Sequence, residues 1–308
     1  MTAIAEREGN IWFDGKMTPW REAKIHVLSH SLNYGVSVFE GVRCYQTDSG
    51  PAIFRLTDHT RRFFQSAHII GMKIPFSEDD INAAQRAVVR DGGHNACYIR
   101  PLAFYGAYSL GLAVDTNPVQ VIVAAWPWGA YLGEEGMEKG IRVKTSSYAR
   151  YHVNTTMCRA KVSGNYVNSV LAHKEAAQDG YDESLLLDVD GLVSEGPGEN
   201  LFIVVRNQLY TPELTSVLSG ITRDTVMTLA QDMGYEVVEK RITRDAVYCA
   251  DEAFFTGTAA EITPIRELDG RVIGSGGRGP ITEALQSAFF DCVAGKHPRS
   301  ANWLTPAA

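Results

Sequence analysis

The chain has 308 residues, of which 45% are hydrophobic and 21% charged, and it carries a net charge of −7. That length accommodates one large domain or two ordinary ones, and the composition is that of soluble globular proteins. Its 29 basic residues are scattered among 36 acidic ones. They leave no footprint for nucleic acid, and no apolar run is long enough to span a membrane.

The first residues, MTAIAEREGNIWFDG, lack a charged segment followed by an apolar run, so a cytoplasmic protein is expected. Asp14-Gly15 reads as a tight hairpin turn, because glycine accepts the positive φ such turns need. A helix is expected over 58–70, capped by Thr57 and stopped at Gly71, and a second over 78–90. The second follows Ser77, with Asp80 three places on in a near capping box. Strands are expected over 97–104 and 119–126. Gly and Pro punctuate 127–137, which suggests domains over 1–129 and 137–308 joined by a loop over 130–136.

Beyond that boundary the pattern predicts a helix over 165–179 and strands over 184–189, 200–205 and 252–256. Asp190-Gly191 and Asp269-Gly270 read as further turns. Helices are expected over 223–233, ending at Gly234, and over 281–293 after Pro280. The mixture points to an α/β (α+β) fold of two lobes, with a ligand site between them. The five cysteines are far apart and odd in number, so neither a metal site nor a disulfide framework is expected. His26 and His30 stand four apart without a third ligand, which suits a structural role better than a metal site.

Four segments carry chemistry. In GITRD, residues 220–224, a helix start would present unpaired N–H groups to a phosphate, though an ordinary cap reads the same way. In TGTAAEITP, residues 256–264, small residues would let backbone amides approach a ligand, or simply end a strand. In RAKVSGNY, residues 159–166, Lys161 among apolar neighbours would lose its proton readily and act as nucleophile and base. The bland reading is a lysine snorkelling to the surface. In SEGPGENLF, residues 194–202, Glu195 would pair with a protonated ring nitrogen, or form a polar turn. Together the segments supply an amine, a carboxylate, a phenol (Tyr166) and two phosphate cradles. Those groups match the handles of pyridoxal phosphate.

These motifs, with HSLNYGVSVFEGVR, YIRPL and WPWGAYLG, form an ordered series. On them the chain resembles the branched-chain amino-acid aminotransferases, pyridoxal-phosphate enzymes of fold type IV, from residue 11 to about residue 293. The resemblance implies that Lys161 carries the cofactor, Glu195 pairs with its ring nitrogen and Tyr166 lies beside its ring hydroxyl. Arg62, Ile221, Thr222 and Thr258 would hold the phosphate, Arg61 being a solvated neighbour. Tyr98 and Arg100 would recognise carboxylates, with the Thr258 and Ala259 amides on the α-carboxylate. Tyr34, Phe39, Trp128, Tyr131 and Tyr166 would wall an apolar pocket. Tyr34 and the loop at Leu112 would come from a neighbouring subunit, making a homodimer the smallest unit and larger rings conceivable. Branched-chain L-amino acids and 2-oxo acids would be the partners, in a ping-pong exchange with 2-oxoglutarate and glutamate. A D-amino-acid or (R)-amine aminotransferase, an aminodeoxychorismate lyase and a non-enzymatic cofactor binder are the alternatives. The stretch RYHVNTTMCRAKVSG departs from the family pattern, with His152, Val153 and Arg159 bulkier or more charged than expected and Ser163 where glycine is common.

Overall fold

Alternating apolar residues in CYIRPLAFY and VQVIVAAW make two long strands, Cys97–Tyr105 and Val119–Trp126, paired antiparallel from Tyr98↔Trp126 to Tyr105↔Val119. The computed structural model describes residues 3–129 and 133–307. The chain folds into two units.

The first unit holds residues 1–128, 160–164 and 292–308. Its sheet runs Leu304–Pro306, Gly50–Phe54, Val42–Thr47, Cys97–Tyr105, Val119–Trp126, Asn10–Phe13, Lys16–Pro19, with Ser37–Phe39 also on Cys97–Tyr105. The hairpin turn at Asp14-Gly15 has positive φ at both residues. Helices Leu56–Ile69 and Glu78–Asp91 bury one face each against this sheet, with Phe63, Ile81 and Val88 in the core. The capping box expected at Ser77 is present, Ser77 Oγ accepting from the Asp80 N–H and Asp80 from the Ser77 N–H. The cap expected at Thr57 is displaced. Arg55, in the left-handed region at φ 52°, precedes a helix that begins at Leu56, and its N–H donates to Trp303 O at 2.6 Å.

The second unit holds residues 129–159 and 165–291. Its sheet runs Val237–Glu239, Gln208–Thr211, Asn200–Val205, Glu252–Gly257, Glu261–Leu268, Ile141–Thr145, Glu183–Leu185, with Arg271–Val272 on Glu261–Leu268. Parallel pairs occur twice around a crossover helix. Tyr166–Gln178 joins Ile141–Thr145 to Glu183–Leu185, and Ile221–Asp232 joins Gln208–Thr211 to Val237–Glu239. Parallel neighbours require such a connection. The strand expected over 184–189 is shorter, because after Leu185 the chain turns to pair with its own return: Leu186 N–H donates to Glu195 O at 3.0 Å.

The units differ from the division expected at residues 129–137. Residues 160–164 leave the second unit because Phe39 N–H donates to Lys161 O at 3.1 Å and Val162 bridges Val38. The C-terminal residues leave it because Leu304–Pro306 pairs with Phe54–Ala52.

Candidate active site

In the first unit the lysine is seated by backbone. Its N–H donates to Ser66 Oγ at 3.0 Å, and Gly164 N–H donates to Gly35 O at 3.0 Å. The two glycines allow that approach, since a Cβ on Gly164 would lie 3.2 Å from Gly35 O. Lys161 Nζ lies 4.8 Å from the Phe39 ring centroid, and Arg100 Cζ lies 4.7 Å from the same ring. Two cations therefore share one aromatic ring. Burial first, and then the Arg62 guanidinium, pull the Lys161 amine down to about 8, against the opposing charge of Glu40. A lowered pKa supplies the neutral amine that nucleophilic attack needs. Acylation of Lys161 in the cofactor-free protein, followed by peptide mass spectrometry, is expected to be half-maximal near pH 8. A profile that keeps climbing to the ordinary lysine range would refute the lowered value.

Arg62, on helix Leu56–Ile69, is held by Glu40, a residue that sequence reasoning missed. Arg62 Nε donates to Glu40 Oε1 at 2.7 Å and Nη2 to Oε2 at 2.8 Å. His59 Nδ1 meets the same Oε2 at 2.8 Å. Burial opposes the Glu40 charge, but Arg62 and His59 outweigh it and hold the carboxyl well below the usual range. The signal was an acid inside the apolar run VSVFEGV: Glu40 is wholly buried, and a buried acid requires partners.

Tyr98 and Arg100 project from alternate positions of one strand and so share a face. Arg100 Nη2 donates to Tyr98 Oη at 3.4 Å, and Arg100 Nε is buried with no hydrogen-bond partner among the described residues. Gly41 makes room for the phenol, since a Cβ there would lie 1.9 Å from Tyr98 Oη. Trp128 packs on Tyr98 at 5.0 Å between centroids. Tyr34 and Leu112 are exposed, at 46% and 90%. His30 Nε2 joins the loop before Leu112 at Gly111 O, 2.8 Å away. Tyr131 lies outside the described residues.

In the second unit Glu195 is buried and surrounded by donors. Arg150 Nη2 lies 2.5 Å from Oε1, while Asn200 Nδ2 at 3.1 Å and Leu218 N–H at 3.0 Å donate to Oε2. Arg150, another residue missed in the sequence, stacks on Tyr151 at 4.5 Å. Burial opposes its charge, but Glu195 prevails and raises it, with Tyr166 also in its field. Tyr166 is the first residue of its crossover helix. Leu218 leads within a few residues to Ile221 and Thr222, the first turn of the other crossover helix behind the Gly220 cap. Thr258 and Ala259 form the turn between strands Glu252–Gly257 and Glu261–Leu268. Gly257 backs onto the Glu195 loop, its Cβ position lying 3.1 Å from Gly198 O.

Glu199, beside this group, is pushed up to about 8, first by burial and then by the charge of Glu183, whose Oε1 meets His173 Nδ1 at 2.9 Å. The folded protein thus keeps a proton on Glu199 that the unfolded chain releases near the usual 4.5, so this group costs stability as pH rises from about 4.5 to 8. Glu199→Gln is expected to raise the Tm relative to the parent at pH 9 but not at pH 4. Equal shifts at both pH values would rule out the protonated acid.

A family model, amino-transferase class IV, matches residues 37–268, and the chain belongs to that family. Within the class its relatives are branched-chain-amino-acid aminotransferases. The Pseudomonas aeruginosa enzyme of that name is 57% identical over 303 residues, 98% of this chain and 99% of the relative. The Escherichia coli enzyme is 46% identical, covering 96% of each chain. Among solved structures, the Escherichia coli branched-chain amino acid aminotransferase matches with a TM-score of 0.96 at 45% identity, over 98% of this chain and all of the other. The Thermobaculum terrenum enzyme of the same name, in its PLP-form, matches with a TM-score of 0.92 at 37% identity, over 98% of this chain and 99% of the other. The α/β fold is that of fold type IV.

Proposed function

We propose that the chain transfers the amino group between branched-chain L-amino acids and 2-oxoglutarate, using pyridoxal phosphate. The observation that carries this reading is the desolvated Lys161 amine, set among Phe39, Tyr98 and Arg100 in a chain whose relatives bear that activity in their names. The residues fit the cofactor. Lys161 is the amine to hold it, Arg62 is fixed by Glu40 as an anchor for its phosphate, and the helix start at Ile221 and Thr222 has by itself the form of a phosphate cradle. Thr258 is assigned to that phosphate as well. Glu195, paired with Arg150 and accepting from Asn200 Nδ2 and the Leu218 N–H, suits a ring nitrogen that must stay protonated, and Tyr166 the ring hydroxyl. When bound, pyridoxal phosphate supplies an aldehyde that takes the amino group and a ring that accepts electrons.

The chain's own residues do the rest. Lys161, as the neutral amine, would carry the proton from the substrate Cα. Arg100 takes the side-chain carboxylate of glutamate or 2-oxoglutarate through its planar fork. Its unsatisfied Nε supports that role. Phe39, Tyr98 and Trp128 offer apolar surface to leucine, isoleucine or valine, with the Thr258 and Ala259 amides on the α-carboxylate. Tyr131 belongs to this set by resemblance. The exposed Tyr34, Tyr108 and Leu112 favour a homodimer or larger ring in which a second copy covers them. No helix among the described residues is long and apolar enough to cross a membrane. A cytoplasmic setting would keep the five cysteines as thiols.

The test is a half-reaction screen read by cofactor absorbance. L-Leucine is expected to bleach the yellow protein, and D-alanine is not. Preference for D-alanine would favour the D-amino-acid reading, and pyruvate release without 2-oxoglutarate would favour the lyase. In the same assay Arg100→Ala is expected to slow glutamate more than leucine by about tenfold or more, the worth of one charge-assisted pair. Equal losses would remove Arg100 from substrate selection.

A further inference from the structure

A cavity of about 480 Å³ lies in the first unit, where residues before strand Asn10–Phe13 meet the end of strand Val119–Trp126. That volume is ample for a small molecule. None of Lys161, Arg62 or Arg100 lines it.

Arg7 enters this cavity. Its Nε is buried without a hydrogen-bond partner among the described residues. Its charge also bears on His94, whose ring is lowered first by burial and then by Arg7, against a hydrogen bond with the Ala125 backbone. A cation with a desolvated, unmet donor is costly, and a carboxylate answers it with two oxygens. The nearby acids do not fill that role. Glu8 is held by Arg21 at 2.6 Å, and Asp91 accepts from Asn10 Nδ2 at 3.0 Å. Glu6 and Asp91 nonetheless leave negative charge at the lining, which would repel a simple anion and attract an ammonium. Trp20 and Trp126 supply the apolar wall, and the Trp20 Nε1–H is already donated to Ile4 O at 2.7 Å.

We propose that this cavity binds a free amino acid as its zwitterion. The α-carboxylate sits on Arg7, the α-ammonium faces Glu6 and Asp91, and an apolar side chain lies on the two tryptophans. Both charges are required, so the corresponding 2-oxo acid, lacking the ammonium, binds weakly.

The experiment uses holoenzyme reduced with borohydride, so that Lys161 no longer exchanges its partner. L-Leucine and 4-methyl-2-oxopentanoate are titrated by calorimetry and tryptophan fluorescence. Leucine binding is expected to weaken about tenfold or more in Arg7→Met, the worth of a lost charged hydrogen bond, whereas leucine held only at the active site would be unaffected by that change. Arg7→Lys, which keeps the charge without the fork, should fall between. The 2-oxo acid is expected to bind about tenfold or more weakly than leucine. Absence of leucine binding, unchanged affinity in a folded Arg7→Met protein, or equal affinity for the 2-oxo acid would each overturn the site.

Discussion

Lys161→Ala is expected to cut transamination by about 10⁴-fold or more and to abolish the visible absorbance of the bound cofactor, in a protein that still folds. The amine is asked to hold the cofactor, leave it and then carry a proton, and no neighbour can replace it in all three tasks. Arg62 and Arg100 are permanently charged, and the hydroxyl of Ser66 is already bonded to the lysine's own backbone. Folding should survive because the segment around residue 161 is pinned by main-chain bonds to Phe39, Ser66 and Gly35, none of which uses the side chain. Deleting a cation that Arg62 and Arg100 both repel also removes an unfavourable term, so Tm should hold or rise. The measurements are steady-state turnover, an absorbance spectrum and a melting curve. Turnover above about a tenth of the parent would disqualify Lys161 as the reacting amine.

The second large effect is at Glu40. Glu40→Ala is expected to destabilise the protein by about 3–5 kcal/mol, the cost of leaving a buried charge without its partner. The guanidinium of Arg62 and the ring of His59 would both lose the carboxylate that they share. Arg62 would also lose its fixed orientation, so cofactor affinity should fall along with stability. Glu40→Gln, which keeps the shape and one acceptor, should sit between the two proteins. The pH dependence follows from the depressed carboxyl. Its contribution is complete above the usual value of 4.5, declines below it as the unfolded chain takes up a proton, and is gone once the folded form is protonated as well. Chemical denaturation at pH 7 and at pH 3 should therefore show the gap between parent and Glu40→Gln narrowing in acid. An unchanged gap, or a Glu40→Ala protein as stable as the parent, would show that the cluster holds nothing together.

Elements whose cause is local were legible in the sequence. The helices Leu56–Ile69, Glu78–Asp91 and Pro280–Val293 follow from apolar spacing with capping or breaking residues, and the strands at 97, 119, 200 and 252 from runs of apolar, β-branched and aromatic residues. Pairings between distant residues were not. Glu40 meets Arg62 across 22 residues, while Arg150 meets Glu195 from a separate loop, and nothing in periodicity marks either partner. Leu304–Pro306 is too short to declare itself a strand, and only Gly50–Phe54 makes it one. The motif around Lys161 was plain as a string, but its place in the first unit depends on bonds to Phe39 and Gly35, far upstream.

That interleaving has a consequence for biosynthesis. Most of the first unit precedes residue 129 and is made early, yet one edge of its sheet is Leu304–Pro306, and Arg90 Nη1 donates to Ala307 O at 3.0 Å. Until Leu304–Pro306 has been made, the nascent first unit presents the bare edge of Gly50–Phe54, a template for wrong pairing. Loss of Leu304–Pro306 should therefore expose nascent and finished chains alike to aggregation, while leaving every group concerned with the reaction in place.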